Sequence, residues 1–223
     1  MTSKVVIVKM KLVKKIDFLF KEEHMPHIKW LGIIKDDLGQ YQKGELPPDG
    51  KKVDMPEDMD EVMVKSIPFC FGGIVIIMFS VMVKSLVCKE FPFNPIWSII
   101  GFVVGFLALI IHELLHAVAF PKAATVYIGI YPKSYAAVAL SAYPLKRWRF
   151  VFMSLLPTIL GIVPIVLFLL LPPYMKNLSG FFLGMSMMGL TSPSVDLYNV
   201  CMVLRGTPKG CIVQFHGEDL YYY

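Results

Sequence analysis

The residues best suited to chemistry are His112-Glu113-Leu114-Leu115-His116. On an α-helix, positions i and i+4 share a face with Cβ atoms about 5–6 Å apart. Two imidazoles so spaced can hold one zinc ion through nitrogens at about 2.0–2.1 Å. Glu113, roughly a quarter turn away, addresses a water beside the ion rather than the ion itself. Zinc lowers the pKa of such a water towards about 7, so a carboxylate can take its proton at neutral pH. The chemistry expected is metal-assisted hydrolysis. The bland alternative is two histidines and a glutamate that hydrogen-bond neighbouring helices. A charged side chain within an apolar span costs about 2.5–3.5 kcal/mol to insert, which favours a functional role.

Two histidines leave zinc short of the third protein ligand that catalytic sites normally have. Asp196 is the best candidate on depth: it follows Gly180 by 16 residues, much as His112 follows Pro95 by 17. Two helices running the same way then carry both residues about 24–26 Å down, near one membrane boundary. Asp196 shares a polar face with Gly189, Ser192 and Asn199, and Pro193 is expected to kink the helix there and free backbone polar groups. Asn199 or Ser192 is the candidate donor to an oxyanion, or a support for the ligands. The rival reading of Asp196 is a pairing that only holds helices together. His216, Glu218 and Asp219 are weaker ligand candidates, and His24 and His27, split by Pro26, read as solvent-facing.

The elements that must position these residues are membrane helices. Hydrophobic residues make up 56% of the 223, charged residues only 17%, and mean hydropathy is +0.60. The first 66 residues hold 12 Lys/Arg and 12 Asp/Glu, the other 157 only 10 and 5. That segregation excludes a soluble globule, a disordered chain and a disulfide-rich module. Four stretches reach the roughly 20 residues needed to cross a bilayer: 67–83, extending to Val87; 95–119, with the histidines at its end; 150–171; and 178–204. Gly101, Gly105, Ala108, His112 and Ala119 fall on one helical stripe, where small residues admit a neighbouring helix. The fold expected is an all-α polytopic membrane protein of about four transmembrane helices.

Residues 1–66 read as a small α/β cytosolic region. It has one or two short strands near Lys4–Lys15, no cleavable leader, and a short acidic helix after Pro56 with Met59, Val62 and Met63 on one side. Residues 67–204 form the four-span domain and 205–223 a cytosolic tail, with Tyr221–Tyr223 as an interfacial anchor or a plain end. Residues 124–131 and 135–143, rich in β-branched and aromatic side chains, predict a β-hairpin between the second and third spans. The connector 121–149 holds Lys122, Lys133, Lys146, Arg147 and Arg149 with no acid, which places it and both termini in the cytoplasm. The basic residues form no aromatic-interleaved stripe, so nucleic acid is not a partner. Cys70, Cys88, Cys201 and Cys211 are scattered and indicate neither a disulfide framework nor a cysteine zinc site.

The HExxH within a membrane helix, followed two spans later by an intramembrane Asp, resembles the site-2-type intramembrane metalloproteases. More closely, the chain resembles a bacterial group of small membrane proteins called putative zincin peptidases. The matching pieces are Leu46-Pro47-Pro48, Lys65–Phe69, Ile111–Ala117, Ser194–Asn199 and Thr207–Gly210. The resemblance implies zinc held by His112, His116 and Asp196, with Glu113 as catalytic base. The function expected is hydrolysis of a peptide bond at or near the cytoplasmic face of a bacterial cell membrane. Partners would be the lipid bilayer and a peptide or membrane-protein substrate. The alternative is a non-catalytic membrane protein that uses these residues for metal binding, sensing or as an adaptor.

Overall fold

The computed structural model describes residues 25–223 apart from Asp36, Glu57, Asp58 and residues 133–135. The strands expected near Lys4–Lys15, and His24, lie outside the described residues.

Strand β1 (His27–Ile33) is followed by a short 3-10 turn at Leu38–Gln42 and strand β2 (Lys51–Lys52). The acidic helix expected after Pro56 and the first span prove to be one helix, α1 (Met59–Cys88), 30 residues long. Nothing between them breaks it, and Pro68 is carried inside. Asp60 and Glu61 occupy its first turn, where the helix dipole favours negative charge, and Lys65 pairs with Glu61 at 2.8 Å.

Helix α2 (Pro95–Leu107) starts on a sequence-encoded cap: the Asn94 side chain accepts from the Ile96 amide at 3.0 Å and proline takes the first helical position. The chain bends by 40° at Ala108 and continues as α3 (Leu109–Val118), which carries the HExxH residues. Strands β3 (Thr125–Tyr131) and β4 (Ala136–Leu140) pair antiparallel from Tyr127–Leu140 to Tyr131–Ala136, the hairpin that the residue pattern predicts. Strand β5 (Leu145–Lys146) leads into α4 (Arg147–Leu155), a single 3-10 turn at Leu156–Thr158 and α5 (Ile159–Leu170). Helices α6 (Lys176–Thr191) and α7 (Ser194–Gly206) and the hairpin β6 (Ile212–His216) and β7 (Asp219–Tyr222) complete the order.

The molecule is mostly helical, yet it is not all-α. One sheet runs β1-β3-β4, with β1 parallel to β3; a second runs β2-β7-β6-β5. The segment expected as a plain tail supplies two strands of the second sheet. The span expectation also changes. Among the described residues, two helical stretches, Asp60–Cys88 and Arg147–Leu170, are long and apolar enough to cross a membrane, and the bent pair α2–α3 makes a third if counted as one. The stretch 178–204 is not one helix: Ser192-Pro193 divides it into pieces of 16 and 13 residues.

Close helix approach follows the small residues. A Cβ on Gly101 would collide with the Phe181 backbone of α6, and one on Gly105 would press on Met185 and Met188 at 3.1–3.3 Å. The largest core cluster joins Ala117 and Phe120 at the end of α3, Phe150 and Met153 of α4 and Val203 of α7 to Val126 and Ile128 of β3. The three-stranded sheet therefore sits over one end of the helix bundle, the end at which α3 delivers its histidines.

Candidate metal centre

Three elements bring the sequence-selected residues together. Helix α3 presents His112, Glu113 and His116 on its buried side. The break at Ser192-Pro193 restarts the chain as α7, with Asp196 in the first turn, where a carboxylate is favoured by the helix N-terminus. Strand β4 closes a third side.

His112, His116 and Asp196 form a triangle of side chains, with one carboxylate oxygen of Asp196 facing each imidazole. His112 Nε2 stands 3.1 Å from Asp196 Oδ2, His116 Nε2 3.2 Å from Asp196 Oδ1, and the two Nε2 atoms are 3.1 Å apart. Tetrahedral zinc with ligands at about 2.0–2.1 Å needs ligand atoms about 3.3–3.4 Å apart, and the two imidazole nitrogens, and each of them with its facing carboxylate oxygen, stand near that separation. The protonation pattern agrees. His116 Nδ1 lies 2.9 Å from the Met153 carbonyl, an acceptor only, so Nδ1 carries the proton and the Nε2 lone pair is turned into the triangle. Two imidazole nitrogens and a carboxylate converging in a buried place are a donor set suited to a cation.

Glu113 stands apart from this triangle. His112, Glu113 and His116 could together hold a metal ion, with one ligand atom from each within 4.8 Å of the others. However, the Glu113 carboxylate oxygen is 4.0 Å from His112 Nε2, farther than either Asp196 oxygen from its histidine. The backbone amide of Ala139 in β4 donates to the Glu113 carboxyl from the side of the strand. Neither Met153 nor Ala139 was visible in the sequence, because each acts through its backbone and its residue type carries no signal.

All four side chains open on one cavity of about 310 Å³, walled by β4, by Val62 and Met63 of α1, and by Phe150 and Met153 of α4. Ser192 and Asn199 line it too, and the Asn199 side-chain oxygen is buried there with no hydrogen-bond partner among the described residues. The β6–β7 turn reaches the cavity through Phe215, Glu218 and Asp219, the last paired with Lys52 at 2.9 Å. His216 points elsewhere, with Nδ1 2.7 Å from the Gly44 carbonyl, and His27 is exposed on β1.

Residues 105–212 match the family model described as putative zincin peptidase, the family that the motifs resemble. The matched stretch contains α3 with the HExxH residues and α7 with Asp196. No curated protein and no solved structure matches the chain.

Proposed function

We propose that the chain is a zinc-dependent membrane peptidase that hydrolyses a peptide bond at or near the cytoplasmic membrane face. The observation that carries this reading is the triangle of His112, His116 and Asp196 at 3.1–3.2 Å with Glu113 held beside it. His112, His116 and Asp196 are the three protein ligands. Zinc, when bound, supplies Lewis acidity to a carbonyl and lowers the pKa of water. Glu113 takes a proton from the attacking water and returns it to the leaving amine. The Asn199 amide or the Ser192 hydroxyl donates to the oxygen on which negative charge develops. Strand β4 is an edge of its sheet among the described residues, and an extended substrate adds to it as a further strand.

In this reading the chain crosses the membrane four times: α1, the bent α2–α3 pair, α4–α5, and α6–α7 as a broken span. A broken helix is tolerated at membrane depth where it lines a polar cavity, and Ser192 and Asn199 beside the break line one. Both termini then lie in the cytoplasm, on the side where Lys122, Lys146 and Arg149 gather. The test is Glu113→Gln. It is expected to keep zinc and fold while peptide hydrolysis falls by about 10²–10⁴-fold. Undiminished hydrolysis would remove Glu113 from the base role.

A further inference from the structure

The sheet that covers the bundle end is wider than the bundle. Its inner face is built from Val126 and Ile128 of β3, both fully buried against the ends of α3, α4 and α7. The same face continues onto β1, because Ile28 pairs with Val126, Trp30 with Ile128 and Ile33 with Ile130 in the parallel ladder. An irregularity between Trp30 and Gly32 keeps Ile33 on that side despite its odd spacing. Yet Ile28 is 37% exposed, Trp30 55%, Ile33 62% and Ile130 39%. The outer face is different: Leu31, Tyr127 and Tyr131 there pack against Ile34 and Leu38, and the Lys29 ammonium lies over the Tyr127 ring.

We infer that β1 is a membrane-surface strand, with Ile28, Trp30 and Ile33 seated in the headgroup layer of the leaflet into which α3 and α4 run. The inference rests on the membrane reading above. Three observations choose lipid as the occupant. The apolar face points toward the helical bundle, so where the bundle ends beneath it the next material in that direction is the bilayer. The helices at that end are apolar on their exteriors as well, since Ile111 and Leu114 of α3 and Trp148 at the start of α4 are exposed. Exposed cations stand at the same end, Lys146 and Arg149 beside Trp148 and Arg205 at the end of α7, which suits an anionic leaflet. Aromatic rings with a polar edge favour that depth. So seated, β1 fixes the height at which β4, the opposite edge of the same sheet, meets Glu113.

The chain has three tryptophans, which makes the test direct. The full chain is reconstituted into phosphatidylcholine–phosphatidylglycerol vesicles brominated near the headgroup end of the acyl chains. W97F/W148F leaves Trp30 as the reporter, and W30F/W148F leaves Trp97, at the far end of α2, as the reference for insertion. The expected result is that Trp30 loses most of its emission to the brominated lipid, as Trp97 does, and resists acrylamide from the water. Quenching of Trp97 with Trp30 open to acrylamide and untouched by bromine would overturn the inference and leave membrane insertion standing. Trp30 shielded from both quenchers would also overturn it, since protein and not lipid would then cover the strand. If neither tryptophan met the brominated lipid, the membrane reading would fall and this inference with it.

Discussion

Asp196 and Glu113 carry the same functional group in one cavity and are placed for different work. Asp196 reaches both histidines within 3.2 Å, whereas the Glu113 carboxylate stands 4.0 Å from His112 Nε2 and accepts from the Ala139 amide. Replacing Asp196 with Asn keeps the shape and removes the charge. Zinc affinity is expected to fall at least about tenfold, measured by competition with a chromophoric chelator. An unchanged affinity would show that the Asp196 charge is not used to hold the ion. At this scale the sequence was informative because helix geometry converts spacing into position: His112 and His116 fall together from i,i+4 alone, and Asp196 from its depth. The Met153 carbonyl that orients His116 left no trace, since any residue at that position has one.

Elements decide whether these side chains meet. The β3–β4 hairpin was legible in its β-branched and aromatic runs, and it supplies the amide that positions Glu113. Ala139→Pro removes that N–H at a strand edge, where proline is tolerated. Peptide hydrolysis is expected to drop with zinc content and circular dichroism unchanged; full activity would mean that the Ala139 contact does not orient the base. The break at Ser192-Pro193 was legible only as a kink. Hydropathy summed across 178–204 sees one apolar stretch, while the Ser-Pro step ends one helix and starts another with Asp196 in its first turn. Likewise, the union of the acidic helix with the first span was hidden by the change from polar to apolar residues, which alters solvent and not backbone geometry. Glycine packing gives an element-scale prediction of its own. Gly101→Val forces a side chain into the Phe181 backbone and is expected to cost about 1–3 kcal/mol or more, read as a lower unfolding midpoint in detergent. Wild-type stability in that variant would show that α2 and α6 are not in close contact there.

Across the whole molecule, the two ends of the helical bundle do different things. At one end the sheets, with the β6–β7 hairpin, enclose the candidate metal centre. The sequence hid this enclosure because β6 and β7 are short strands that follow the last apolar stretch and pair with β5 and β2, far away in the chain. At the other end, Lys84 is buried and donates to the Phe168 carbonyl and to Ser179 Oγ, with its ammonium 4.5 Å from the centre of the Phe168 ring. It thereby ties α1 to α5 and α6. Lys84 lies 21 residues along α1 from Met63, or about 32 Å at the helical rise. Lys84→Met leaves a buried carbonyl and hydroxyl without their donor and is expected to lower stability by about 1–3 kcal/mol. Zinc stoichiometry should stay as in the wild type, because the variant acts at the far end. Loss of zinc from folded Lys84→Met protein would mean that the two ends are coupled.

His112, His116 and Asp196 stand or fall together as one proposed three-ligand zinc site. The most direct test is the metal content of detergent-purified protein, comparing wild type with His112→Ala and Asp196→Ala. About one zinc per chain is expected in the wild type, lost or much weakened in both variants while the helical signal is kept. Zinc retained by Asp196→Ala at wild-type affinity, or a wild type that binds none even after reconstitution, would contradict it.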